Sequence, residues 1–311
     1  MTKEVDRTTL VVCMAAVWVL WGSVYLAIRL VVDEVDPFQA MAQRYVVAGL
    51  LLAGIAVVRS GRGALRVTRP QLAGLLATGV LLLGFGNGFQ ALAQVEGLPS
   101  GVAALIVATV PAWAVLIRML TGDRPPVLTL WGVAIGFAGL AALVGLGQHT
   151  GEALPLLGAA FCLGASISWT IGSFLQGRLE LPKNVVVVAA YQQLVAAGTS
   201  TALALGTGEQ LSTDYSARGW FAMAWLVLAC SVAAYLAFAW LLSNVSLSLT
   251  ATHAYVNPVV AVLLGWVVLS EQVGVGVLVG GGAVVGAVVL IIGSERRAST
   301  VERIPETAAP G

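Results

Sequence analysis

Long apolar runs separated by short polar stretches recur along the whole chain, and the run at residues 249–269 (LTATHAYVNPVVAVLLGWVVL) shows most about their purpose. It matches the roughly 20 residues that a membrane-crossing helix needs. Its first half nevertheless carries Thr250, Thr252, His253, Tyr255 and Asn257, followed by Pro258. Proline removes one backbone hydrogen bond and bends a helix. Polar groups at membrane depth are tolerated only where protein or water satisfies them. The pattern therefore predicts a helix that faces an interior cavity. The run at 101–120 has the same shape, with Thr109 and Pro111 ahead of an apolar second half, and the two prolines are 147 residues apart. Each run leads through a short polar turn (122–124 and 270–272) into a glycine-rich run (128–147 and 273–293). This is an internal repeat.

The pattern predicts ten spans, at about 10–31, 38–58, 71–94, 98–120, 128–147, 154–175, 184–206, 218–242, 247–269 and 273–293. Residues 1–9 read as a short charged tail, and 294–311, with Pro305 and Pro310, as a disordered polar tail. The first apolar run is too long for a signal-peptide core and has no clear cleavage site, so it reads as a retained helix. The connections are short and leave no room for a soluble domain. The first repeat is expected over 10–147 and the second over 154–293.

Composition agrees. Hydrophobic residues make up 59% of the 311 and charged residues 10%, against roughly 25% charged in ordinary soluble domains. The fold class is all-α polytopic membrane protein. A net charge of +1 without a basic patch gives no sign of nucleic acid or an acidic partner. Cys13, Cys162 and Cys230 all fall within spans, and no metal-type spacing links them. No cofactor or metal is expected. The lipid bilayer and a small-molecule substrate are the expected partners, in a monomer or homodimer.

Charge also sets an expected orientation. With the N-terminus in the cytoplasm, thirteen of the sixteen Lys and Arg fall in inside segments; Arg218 lies outside, and Arg29 and Arg44 lie within spans. Both termini are then cytoplasmic, in a plasma-membrane protein. The two halves also match near their starts: WGSVYLAIRL from Trp21 aligns with WTIGSFLQGR from Trp169, offset by 148 residues, and the segment from Arg44 falls opposite the one from Gln192. Five spans per half make the second half start on the opposite side, so the repeat is inverted. Inverted repeats give two pseudo-equivalent states open to opposite sides, the physical basis of alternating access.

Trp21-Gly22-Ser23, Arg44-Tyr45, Pro111, Pro258 and the glycine-rich fifth and tenth spans, in this order and duplication, resemble the EamA family of the drug/metabolite transporter superfamily. The likeness covers about 10–293. The second unit departs from the pattern: Thr170-Ile171 follows Trp169 where Gly-Ser follows Trp21, and Gln192 replaces Arg44. Ser270-Glu271 fits the family's acidic turn, whereas Asp123 stands where Glu is usual. The resemblance implies a ten-helix transporter, most of its relatives being exporters of amino acids, metabolites or drugs.

Arg44 sits about two turns into its span. It is either an anchor for an anionic substrate group, or a structural ion pair, or a side chain snorkelling to the interface. Arg29, near Asp33, Glu34 and Asp36, reads as interfacial. His253 and Asn257 share a helix face with the i, i+4 spacing, and with Tyr255 they either line a cavity or bond between helices. Trp18, Trp21 and Tyr25 form an i, i+3, i+7 stripe that, with Trp169, suits the wall of an apolar pocket or a packing surface. Asn87, Gln90 and Gln94 form a polar stripe suited to a cavity wall. Gln192, beside Tyr191 and Gln193, fits a cavity wall or interhelical bonds, and Tyr235 and Trp240 are weaker candidates. Pro111 and Pro258 are expected hinges. Gly132/Gly136 and Gly282/Gly286 fit close helix packing or a dimer interface.

No Asp or Glu lies in the middle of any span. Proton coupling through a deep carboxylate is therefore not visible; coupling would use His253 or a span-end Glu, or transport would run down the substrate gradient. No Walker-type phosphate loop and no catalytic constellation occurs at useful spacing, so an enzyme is not expected. The expected function is alternating-access export of a small metabolite, an amino acid or similar neutral or zwitterionic compound. A multidrug or metabolite facilitator, or an uptake carrier, is the alternative.

Overall fold

The computed structural model describes residues 6–122, 124–149, 154–244 and 253–301. Thr250, Thr252 and Asp123 lie outside them, as do 1–5 and 302–311. Among the described residues, the apolar helices are α1 (Arg7–Val32), α2 (Pro37–Ser60), α3 (Arg69–Val95), α4 (Ser100–Leu120), α5 (Val127–Leu146), α6 (Leu156–Gln176), α7 (Val185–Thr207), α8 (Ala217–Leu241), α9 (His253–Leu269) and α10 (Val277–Ser294). They coincide with the ten expected spans. Two ends differ. Asp6 caps α1 by accepting from the Thr8 and Thr9 amides at 3.3 and 3.0 Å, so the helix starts at Arg7. The last helix continues to Val301, through part of the tail expected to be disordered, because Glu295, Arg296, Arg297 and Ala298 are good helix formers.

Packing repeats with an exchange of α1–α5 for α6–α10. The equivalent helices α2 and α7, α4 and α9, and α5 and α10 pack on each other. The α1–α8 contact is matched by α6–α3, and the α1–α9 contact by α6–α4. Since α1 and α6 enter the bundle from opposite ends, this is an inverted two-fold arrangement. The α5–α10 crossing is set by glycine. A Cβ on Gly139 would lie 2.8 Å from the Ala283 Cβ and 2.9 Å from the Gly280 oxygen. On α5, Gly132 and Gly136 also face α10, but Gly282 and Gly286 face open space. The contact surface of α10 is therefore Gly280, Ala283 and Ala287, and the paired-motif expectation holds for α5 alone.

Several helices are irregular at mid-length. A turn at Ser23 interrupts α1, and one at Ala108 and Thr109 interrupts α4. Wide π-helical turns occupy Val80–Phe85 in α3 and Trp225–Ala233 in its equivalent α8. Such irregularity frees carbonyls that lipid cannot satisfy. Here side chains accept the task. Ser23 Oγ donates to the Leu20 oxygen at 2.8 Å and accepts from Trp225 Nε1 at 2.8 Å. Thr109 Oγ1 donates to the Ile106 oxygen at 2.6 Å and accepts from Trp113 Nε1 at 3.2 Å. Trp21 Nε1 of α1 donates to the Cys230 oxygen in the π-turn of α8 at 3.2 Å, as Ser168 Oγ of α6 donates to the Leu81 oxygen in that of α3 at 2.8 Å. Pro111 falls in the first turn after the α4 interruption, where its missing N–H is harmless. By contrast α9 continues through Pro258.

At one end of the bundle carboxylates tie the two repeats together. Glu271, after α9, accepts from the Ser100 and Gly101 amides opening α4, at 2.7 and 3.1 Å. Glu209, after α7, accepts from the Phe38 and Gln39 amides opening α2, at 3.3 and 2.8 Å. Glu34, after α1, accepts from the Ser216 amide and hydroxyl at the cap of α8, at 2.7 and 2.6 Å. A carboxylate there satisfies orphan N–H groups and complements the helix dipole. At the opposite end the counterpart of the Glu34 clamp is looser: Thr68 Oγ1, capping α3, lies 3.5 Å from Glu180.

Two tests follow from this packing. Gly139→Val should lower thermal stability in detergent by roughly 1–3 kcal/mol, the usual range for overpacking, while Gly282→Val should leave it unchanged. The Ser216 hydroxyl and amide hold Glu34 below the usual carboxylate range. Its contribution is therefore present above the ordinary carboxylate pKa and is lost as pH falls through the lowered one. The melting-temperature gap between wild type and Glu34→Gln should be open at neutral pH and close in that acid window; a gap independent of pH would refute the clamp. Burial pushes Glu209 the other way, above the usual range, so its charged clamp is completed at higher pH.

Candidate functional site

A cavity of about 170 Å³ lies where the interruptions of α1 and α4 meet the π-turn of α3. It has room for on the order of ten waters at about 10–15 Å³ each, which is the scale of an amino-acid-sized solute. Both repeats build it from equivalent positions. Trp21 and Trp169 line it, as do Pro111 and Pro258, and Asn87 faces in on α3 as Tyr235 does on α8, 148 residues later.

Of the fourteen leading candidates from the sequence, ten lie on its wall: Trp21, Tyr25, Arg44, Asn87, Gln90, Pro111, Trp169, His253, Asn257 and Pro258. The other four point elsewhere. Trp18 packs with Met14, Val17 and Leu241; one turn before Trp21 on the same unbroken segment, Arg7–Gly22, it stops short of the cavity, and only the last two members of the expected stripe line it. Gln94 is fully buried, and its amide donates to the Tyr25 oxygen at 3.3 Å. Gln192 donates to Thr78 and Gln176, both at 2.9 Å. Tyr255 packs into the core around α4, α6 and α10. The polar side chains among these were claimed by interhelical bonds.

The wall has two chemistries. Trp21 gathers an aromatic cluster, with ring centroids 5.4 Å from Tyr235, 4.9 Å from Phe238 and 5.2 Å from His253. On the same wall lies Arg44, 4% exposed. Its Nε donates to Ser231 Oγ at 2.9 Å, Nη1 sits 3.9 Å from the Met41 sulfur, and the guanidinium carbon lies 4.9 Å from the Tyr45 ring centroid. The ion pair seen among the described residues is elsewhere, between Arg29 and Asp33 at 3.3 Å; Arg29 also reaches the Gln94 carbonyl. Arg44 thus has no acidic partner there, which removes the ion-pair reading. Gln90, 4% exposed, has an Nε2 without a protein partner. Asn257, oriented to donate, reaches the His253 and Trp18 carbonyls at 3.1 Å each, so it holds α9 to α1 while lining the cavity. No group of His, Cys, Asp and Glu among the described residues could hold a metal.

Sequence reading missed Tyr45 and ranked Tyr235 low. The signal for Tyr235 was its place 148 residues after Asn87, the same offset as Trp21 and Trp169. Tyr45 had no independent signal beyond its neighbour Arg44.

Comparison with known proteins agrees with this architecture. The family model described as the EamA-like transporter family matches residues 8–145 and 156–293. The uncharacterized inner membrane transporter YedA of Escherichia coli K12 is 38% identical over 251 residues, covering 80% of this chain and 79% of YedA. The uncharacterized transporter YvbV of Bacillus subtilis is 23% identical over 317 residues, covering 99% and 97%. A solved crystal structure superposes with a TM-score of 0.64 at 20% identity, over 94% of this chain and 99% of the other, and supports the fold alone. With both repeats matched and a cavity between them, this multi-pass membrane protein belongs to the EamA-like transporter family.

Proposed function

We propose that the chain exports a small metabolite across the plasma membrane by alternating access, and that the cavity between the repeats is its substrate site. The substrate class is a small metabolite of amino-acid size that bears a carboxylate. The observation that carries this reading is Arg44, a buried cation on the cavity wall without an acidic partner among the described residues. In this reading it anchors the carboxylate. Asn87 and Gln90 supply hydrogen bonds, Trp21, Tyr25, Trp169 and Tyr235 hold the apolar body, and His253 and Asn257 close the side toward α9. Pro111 and Pro258 serve as hinges. Both termini face the cytoplasm, by the Lys and Arg distribution, so the carboxylate clamps close the outer end. Opening that end means releasing Glu34, Glu209 and Glu271 from the helices they cap, and the looser Thr68–Glu180 contact tightens in exchange.

The test uses purified protein in liposomes preloaded with radiolabelled amino acids and related carboxylates. Efflux of one class above protein-free vesicles is expected. Arg44→Ala should lower that efflux tenfold or more, as expected for loss of a charge-assisted bond, with the yield and melting temperature of folded protein little changed. Full activity in Arg44→Ala would remove the proposed anchor.

A further inference from the structure

We infer that the transported species is an organic monoanion and that its transport is electrogenic, driven outward by an interior-negative membrane potential. The inference rests on the reading of the cavity as the substrate site. A guanidinium carries five N–H donors and cannot shed its charge in a protein. Arg44 uses Nε on Ser231, has a weak sulfur contact at Nη1 and lies 4.9 Å from the Tyr45 ring centroid, contacts that leave its charge without a counter-ion. All fifteen Asp and Glu in the sequence lie at helix ends, in connections or in tails, so the chain brings no counter-charge to this depth. A buried, unpaired charge is expensive. The fold does not require one here, because the equivalent position in the second repeat is Gln192, neutral and bonded to Thr78 and Gln176. The missing anion is one that arrives with the substrate.

Charge then selects among carboxylates. One monoanion makes the loaded cavity neutral against aromatic walls that suit an apolar body. A dianion leaves one negative charge without a partner. A zwitterion carries its own cation beside the anion, which cancels much of the attraction to Arg44, and among the described residues no carboxylate faces the cavity to receive the ammonium. An amine adds to the positive charge. Each cycle with a monoanion moves one net negative charge, so a potential of about 100 mV sustains a roughly fifty-fold gradient. That removes the need for a membrane-embedded proton-binding carboxylate, which the spans do not contain.

The experiment compares phenylpyruvate, phenylalanine and phenethylamine, which share an apolar body and differ in charge. Purified protein in liposomes is loaded with each, and a potential of either sign is set with a potassium gradient and valinomycin. Phenylpyruvate efflux should exceed the other two at least tenfold, accelerate several-fold with a negative interior and slow with a positive one. Arg44→Gln should abolish it. Arg44→Lys, which keeps the charge, should retain potential dependence at a lower rate, and it keeps the test decisive if Arg44→Gln does not fold. Phenylalanine efflux equal to or faster than phenylpyruvate efflux, or any phenylpyruvate efflux indifferent to potential, overturns the inference while the transporter reading stands. No efflux of any of the three by folded protein overturns both.

Discussion

In hydrocarbon every backbone N–H and C=O must find a partner inside the protein, and this constraint governs where the bundle can be irregular. The interruptions at Ser23 and at Ala108–Thr109, and the π-turns of α3 and α8, all expose carbonyls at mid-length. They persist because a hydroxyl or indole is built beside each: Ser23 with Trp225, Thr109 with Trp113, Trp21 over Cys230, Ser168 over Leu81. Three of these segments, at Ser23, at Ala108–Thr109 and in the π-turn of α3, adjoin or supply cavity-wall residues. Polar backbone satisfaction and site construction thus coincide, and Trp21 serves both.

The second organising feature is charge placement. Acids are confined to the ends, where Glu34, Glu209 and Glu271 each join one repeat to a helix start of the other. Those joints cross between the repeats, so any relative movement of the two halves would have to break them. The middle holds Arg44 alone as a fixed charge among the described cavity residues.

Much of this was legible in the sequence. Span number and the inverted repeat follow from apolar run length, the Lys and Arg bias and the 147–148-residue offset. The cavity residues Trp21, Arg44, Asn87, Gln90, Trp169 and His253 were legible because polar or aromatic groups deep in an apolar run must face something other than lipid. What sequence could not give was the partner of each buried polar group. Gln94 and Gln192 carry the same signal as Gln90, yet they bond to Tyr25, Thr78 and Gln176. Trp18 carries the same aromatic signal as Trp21 on the same unbroken segment, yet it packs against Met14, Val17 and Leu241. The clamps were equally hidden, because Glu209 and Glu34 meet their helix starts across about 170–180 residues of chain.

The central claim is that one cavity is reached alternately from the two sides. It is tested most directly by placing a single cysteine at Ala104, on the cavity wall, in a variant lacking Cys13, Cys162 and Cys230, and labelling it with an impermeant thiol reagent in right-side-out and inside-out vesicles. Alternating access predicts labelling from both sides, with substrate changing the two rates in opposite directions. Labelling from one side only, whatever ligand is present, would contradict it.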